Sequence, residues 1–127
     1  MKDYQPKRNN YYIDDNRLYR RVIAIIRDYP RMTAERERII YESPEGTGRG
    51  NVGRPTENKA LRIATIDDDI RAIERALEKL PREYRQGVLD NIICHKRQAD
   101  LPFASERTWR YQKAAFIWHV AKNMHLL

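Results

Sequence analysis

Cysteine is nearly absent: Cys94 stands alone among 127 residues, so no internal disulfide is possible and a reducing, cytoplasmic setting is the default. No apolar run approaches the ~20 residues that a membrane helix needs. The start, MKDYQPKRNNYY, has basic residues with no apolar segment behind them, so the expectation is of no secretory signal. Glycine is scarce and gathered in one place, with four of the five between Gly46 and Gly53. No strand pattern precedes that cluster and no Gly-Lys-Ser/Thr follows it, so it is not a phosphate-binding loop. Histidine is rare too. Cys94-His95 has only His119 and His125 besides, at no zinc spacing, and adjacent helical side chains do not face each other as a nucleophile and its base must. Asp67, Asp68 and Asp69 point about 100° apart on a helix and cannot close around one ion. Paired cleft carboxylates are also missing, so the expectation is a protein with no catalytic residues, no metal and no cofactor.

What the chain has in quantity is positive charge: Lys+Arg 25 against Asp+Glu 18, a net +7, with a sequence pI of about 9.7 and a mean hydropathy of −0.86. Such a balance makes polyanions the first partners to consider, because neutralising phosphates releases condensed counterions. Both ends of the chain are basic, whereas residues 66–81 carry more acid than base.

Helical periodicity runs through nearly everything else, so the expected class is all-α. Residues 56–80 place Ile63, Ile66, Ile70, Ile73, Leu77 and Leu80 at steps of three and four, a heptad seam along a helix of roughly 37 Å. Thr56 is placed to cap it and Pro81 to stop it. The seam serves either a homodimer or packing by the chain itself, and the apolar helices on either side favour the second. Before it, Asp14 or Asp15 caps a helix to about Tyr29, with Leu18, Val22, Ile25, Ile26 and Tyr29 inward. Thr33 opens a short helix to about Tyr41, with Ile39 and Ile40 turned back on the first. Tyr11 and Tyr12 either meet a partner or close over the first helix. Residues 46–55 read as a flexible Gly-rich linker, and Gly53-Arg54-Pro55 is too little of an AT-hook to change that. The layout is therefore an N-terminal helical region (1–45), a linker (46–55), and a long helix with a terminal domain (56–127).

In that terminal domain Pro81 begins a helix with Tyr84, Val88, Leu89, Ile92 and Ile93 inward. A connector, Lys96 to Ala104, holds an apolar group of Ala99, Leu101 and Phe103. Ser105 caps the last helix, where Trp109, Phe116, Val120 and Met124 face inward and Arg107, Arg110, Tyr111 and Ala114 outward. A connector followed by an outward Arg/Arg/Tyr/small-residue face has the chemistry of a helix-turn-helix recognition helix. Arginine suits guanine O6/N7, the Ser105 and Thr108 hydroxyls and Lys113 suit phosphates, and Tyr111 offers stacking or a hydroxyl. Lys96 and Arg97 add positive charge on the connector. Trp118 falls on the outward side, for a protein partner or for the N-terminal helices.

The string Leu80-Pro-Arg-Glu-Tyr-Arg, the helix after it, Ser105-Glu-Arg-Thr-Trp and the closing Ile-Trp-His-Val-Ala-Lys resemble the phage RinA/ArpU-type transcriptional regulators. The terminal half of that family is similar to the promoter-reading helix-turn-helix domain of sigma factors. Over nearly the whole chain the resemblance implies a double-stranded-DNA-binding activator of late phage genes that acts with host RNA polymerase. It puts Ser105, Arg107, Thr108, Arg110, Tyr111 and Lys113 on the recognition helix. The segment between Ile93 and Ser105 is shorter than its sigma counterpart and leaves about one turn for the supporting helix. The rival readings are a phage small terminase subunit, which also joins such a motif to an oligomerising helix, and a module that grips RNA polymerase or a sigma factor.

Overall fold

Asp15 starts the first helix as a residue ahead of an apolar-periodic run should: its carboxylate accepts the backbone N–H groups of Arg17 at 2.9 Å and Leu18 at 3.3 Å. In the computed structural model, which describes residues 11–41 and 54–127 and gives 54–59 as backbone only, α1 runs Asn16–Arg27. Its core face is Tyr19, Val22, Ile23 and Ile26, while Leu18 and Ile25, expected inside, are half-buried. Asp28 closes α1 through its backbone N–H.

The second helix, α2 (Tyr29–Tyr41), begins well before the expected Thr33. Pro30 falls in its first turn, where a missing N–H leaves no intrahelical bond unmade. Asp28 clamps Arg31 there at 2.6 and 2.7 Å, and the guanidinium holds the Asp28 carboxyl below its ordinary range. Thr33 is no cap; its hydroxyl donates to the Pro30 carbonyl. Met32 and Ile39 are buried but Ile40 is exposed, because α2 lies mainly along the third helix rather than back on α1. Two ties mark that seam: a half-buried Arg36–Asp67 pair at 2.8 Å and the Tyr29 hydroxyl donating to Glu74 at 3.0 Å.

Helix α3 (Arg54–Glu78) starts two residues before Thr56, so Thr56 lies within it and Pro55 occupies its first turn. The expected linker is correspondingly shorter at its far end. Its glycines and the polar first ten residues lie outside the described residues. Ile70, Ile73, Ala76 and Leu80 are sealed by the chain itself, Ile63, Ile66 and Leu77 are half-buried, and Leu61 is 66% exposed. Along the helix Arg71 pairs with Asp67 at 2.8 Å.

Pro81 precedes α4 (Arg82–Cys94), which ends in a left-handed His95 at φ 59°. The Lys96 N–H donates to the Asp90 carbonyl at 3.1 Å, Asn91 Nδ2 donates to the Lys96 carbonyl at 2.7 Å, and Arg27 Nε donates to the Ile92 carbonyl at 2.9 Å, fastening α1 to this corner. The only helix in the connector is one 3-10 turn, Gln98–Asp100, in line with the one turn that its length allows.

The last helix, α5 (Glu106–Asn123), is the one the others surround. It packs against α1, α3, α4 and the 3-10 turn, with Trp109, Phe116, Ile117 and Val120 in a core shared with all three long neighbours. Asn123 Nδ2 fixes it to α3 through the Ala72 carbonyl at 3.0 Å. Among the described residues all regular structure is helical, and no helix is long and apolar enough to cross a membrane.

Candidate nucleic-acid interface

Enclosure on three sides leaves α5 one outward surface, and the caps decide where it begins. Ser105 has extended backbone, and its Oγ accepts the Thr108 N–H at 3.2 Å and lies 3.1 Å from Thr108 Oγ1. Both hydroxyls thus stand at the positive end of the helix dipole, where an anion is favoured. Arg107 is exposed. Arg110, one turn along, is half-buried with its guanidinium 3.7 Å from Glu106. On the connector Lys96 is exposed, and exposed Arg97 is held by Asp100 at 3.0 and 3.3 Å. Pairs this open to solvent are weak, so a phosphate or base edge can replace the carboxylate at small cost.

Trp109 joins the connector to the helix. Its ring is buried, Nε1 donates to the Pro102 carbonyl at 3.1 Å, and the ring meets Tyr84 edge-on at 5.0 Å and Phe103 at 5.6 Å. Of the expected apolar trio, Leu101 alone enters the core; Ala99 is exposed, and so is Phe103, with left-handed backbone at φ 48°. That conformation costs a residue with a Cβ roughly 1–2 kcal/mol.

Two expected outward residues are not outward. Lys113 is 8% exposed and Ala114 is buried. Lys113 lies four residues after Trp109, on the stripe that continues through Phe116, Ile117 and Val120, so the rotation that buries Trp109 takes Lys113 in with it. Ala114 is enclosed as well, on a helix that α1, α3 and α4 all pack against. The outward face is therefore short: Arg107, Arg110 and Tyr111, with Ser105 and Thr108 at its head.

The lower border of this face is aromatic. Tyr111 meets Tyr11 edge-on at 5.7 Å, and Tyr11 also contacts Trp118 at 5.4 Å and His119 at 5.5 Å. A hydrogen bond with Tyr11 raises the Tyr111 hydroxyl above its ordinary pKa. Trp118 is half-buried there, with the Lys122 ammonium 5.5 Å from its ring centroid. Burial, with Lys79 nearby, pushes His119 below its ordinary pKa. The sequence offers Tyr11 a partner or the start of the first helix; its ring contacts are instead with α5, because nothing local ties it to residues a hundred positions later.

Elsewhere, an open groove of about 440 Å³ between α3 and the end of α5 brings Asp68 and Asp69 beside Arg71 and Arg75. Burial and Asp68 raise the Asp69 pKa. Among the described residues no group of His, Cys, Asp or Glu is arranged to hold a metal ion. These features define an all-helical protein with a short cationic face at the head of an enclosed helix. The chain matches no protein-family model, no curated protein and no solved structure.

Proposed function

We propose that the chain is a sequence-specific, double-stranded-DNA-binding transcriptional regulator, with α4, the 3-10 turn and α5 acting as a helix-turn-helix and α5 entering the major groove. The observation that carries this reading is the head of α5. Its one solvent-facing surface begins at a capped, positive terminus and presents Arg107, Arg110 and Tyr111, with Lys96 and Arg97 on the adjoining connector. Recognition helices use their N-terminal residues on base edges in this way. Arg110 and Arg107 read bases, Ser105, Thr108, Lys96 and Arg97 hold phosphates, and Tyr111 borders the footprint. Lys113, being buried, has no part in it.

The RinA/ArpU-type resemblance extends this reading to a phage or prophage activator of late genes, working in the bacterial cytoplasm with host RNA polymerase and without catalysis. Self-association, if it uses the α3 seam, falls to the part left open around Leu61, Ile63 and Ile66. Mobility-shift titration of pure protein with duplex DNA over a range of salt tests the central reading. Affinity should fall steeply, with a log–log slope of about −0.9 per phosphate contacted. Absence of binding to duplex DNA at low salt refutes it.

A further inference from the structure

The groove of about 440 Å³ between α3 and the end of α5 falls within the roughly 300–1,000 Å³ of small-molecule sites. Its two walls are tied together, because Asn123 Nδ2 donates to the Ala72 carbonyl at 3.0 Å. Charges of both signs line it: Asp68 and Asp69 towards one end, Arg71 and Arg75 towards the other. Arg71 is already engaged by Asp67 at 2.8 Å. Asp69 and Arg75 are not engaged; among the described residues neither makes a hydrogen bond or an ion pair. Half-buried Asp69 is held above its ordinary pKa by burial and by Asp68, with Asp28 adding to the effect and Arg21 only partly offsetting it. A carboxylate so placed gains from a cation. Exposed Arg75 offers a planar fork of donors that suits a carboxylate.

The spacing of these two charges selects the occupant. Six residues of α3 set Asp69 and Arg75 roughly 9 Å apart along the helix axis, too far to satisfy each other. An inorganic anion in the groove would meet the carboxylates, and a bare metal ion the guanidinium groups; among the described residues no set of metal ligands is present. A molecule with an ammonium and a carboxylate a few ångströms apart suits both ends at once, because a hydrogen bond of about 2.9 Å at each end completes the span. We propose that this groove binds a small zwitterion of the α-amino-acid class, with its ammonium on Asp69 and its carboxylate on Arg75. The site lies at the opposite end of α5 from the Arg107 face and does not rest on the DNA-binding reading.

Calorimetric titration of the full chain with each standard α-amino acid in turn, in the absence of DNA, tests the site. At least one should bind saturably, once per chain. Its N-acetyl and carboxamide derivatives, which each lack one of the two charges, should not bind. Asp69→Asn and Arg75→Gln remove one charge of the site each and break no contact among the described residues, so thermal unfolding of the unliganded variants should match that of the wild type. Each variant should weaken binding by about tenfold or more, as the loss of a charge-assisted hydrogen bond does. If no amino acid binds at millimolar concentration, if a singly charged derivative binds as tightly as its parent, or if either variant binds as the wild type does, the proposal is overturned. If the unliganded chain self-associates by light scattering and the two variants abolish that association, the groove belongs to a contact between copies and the proposal is likewise overturned.

Discussion

Gly87 lies in the middle of α4 under the Trp109 ring, and Gly87→Ala sets two opposed effects against each other. In a helix interior alanine is better than glycine by about 1 kcal/mol. Here, however, an added Cβ would stand 2.5 Å from Trp109 Cη2 and 2.6 Å from Cζ3, closer than carbon atoms approach without something moving. The indole cannot withdraw cheaply, being buried, bonded to Pro102 and flanked by Tyr84 and Phe103. Overpacking of this kind costs about 1–3 kcal/mol, and so close an approach belongs at the upper end. The net expectation is a loss of about 1–2 kcal/mol, or roughly 4–8 °C in Tm for a chain of this size. Urea unfolding followed by far-UV circular dichroism measures it. In a Trp109→Leu background the clash is gone, so the same Gly87→Ala change should reverse sign and stabilise by up to about 1 kcal/mol. A neutral or stabilising Gly87→Ala in the wild-type background would refute the claim that the indole seats on bare backbone.

Ile70 is fully buried by its own chain, so Ile70→Asp should cost about 4 kcal/mol or more and abolish cooperative unfolding by circular dichroism. A folded Ile70→Asp protein with altered mass by light scattering would show that the seam is covered by a second copy instead. The folded pKa of His119 is lowered from 6.5, so the unfolded state binds its proton first as pH falls. Stability should therefore decline on acidification through about pH 6.5 and level off below the folded pKa, and His119→Gln should lack that decline in Tm. An unchanged pH profile in His119→Gln would assign the decline to other groups. Tyr11→Ala removes three ring contacts with α5, each worth about 0.5–1.5 kcal/mol, and should shift Trp118 emission as well as Tm. Unaltered emission would mean that Tyr11 does not rest on Trp118.

Features of this fold that depend on a few neighbouring residues were readable in the sequence. Asp15 and Ser105 cap the helices they precede, the heptad run of α3 is one long helix, and the short connector holds a single turn. The start of α2 is four residues earlier than Thr33 because Pro30, which can end a helix or open one, here opens it; the Asp28–Arg31 clamp that favours this role is visible only once α2 exists. The candidate face was legible at its head, in Arg107, Arg110 and Tyr111. It was misread at Lys113, where the charge of the residue outweighed its place on the Trp109 stripe, and at Ala114, whose burial depends on how many helices surround α5. Tyr11 against Tyr111, Gly87 under Trp109 and the exposed ring of Phe103 arise from contacts between distant segments, and no local pattern announces them.

The central claim is that the head of α5 reads bases. The most direct measurement compares wild type and Arg110→Ala on a duplex selected from a random pool and on an unselected duplex, at one salt concentration. The selected duplex should lose about 1–3 kcal/mol of binding free energy and the unselected one little, because a base contact carries sequence preference and a phosphate contact does not. Equal losses on both duplexes, or none on either, would contradict the account.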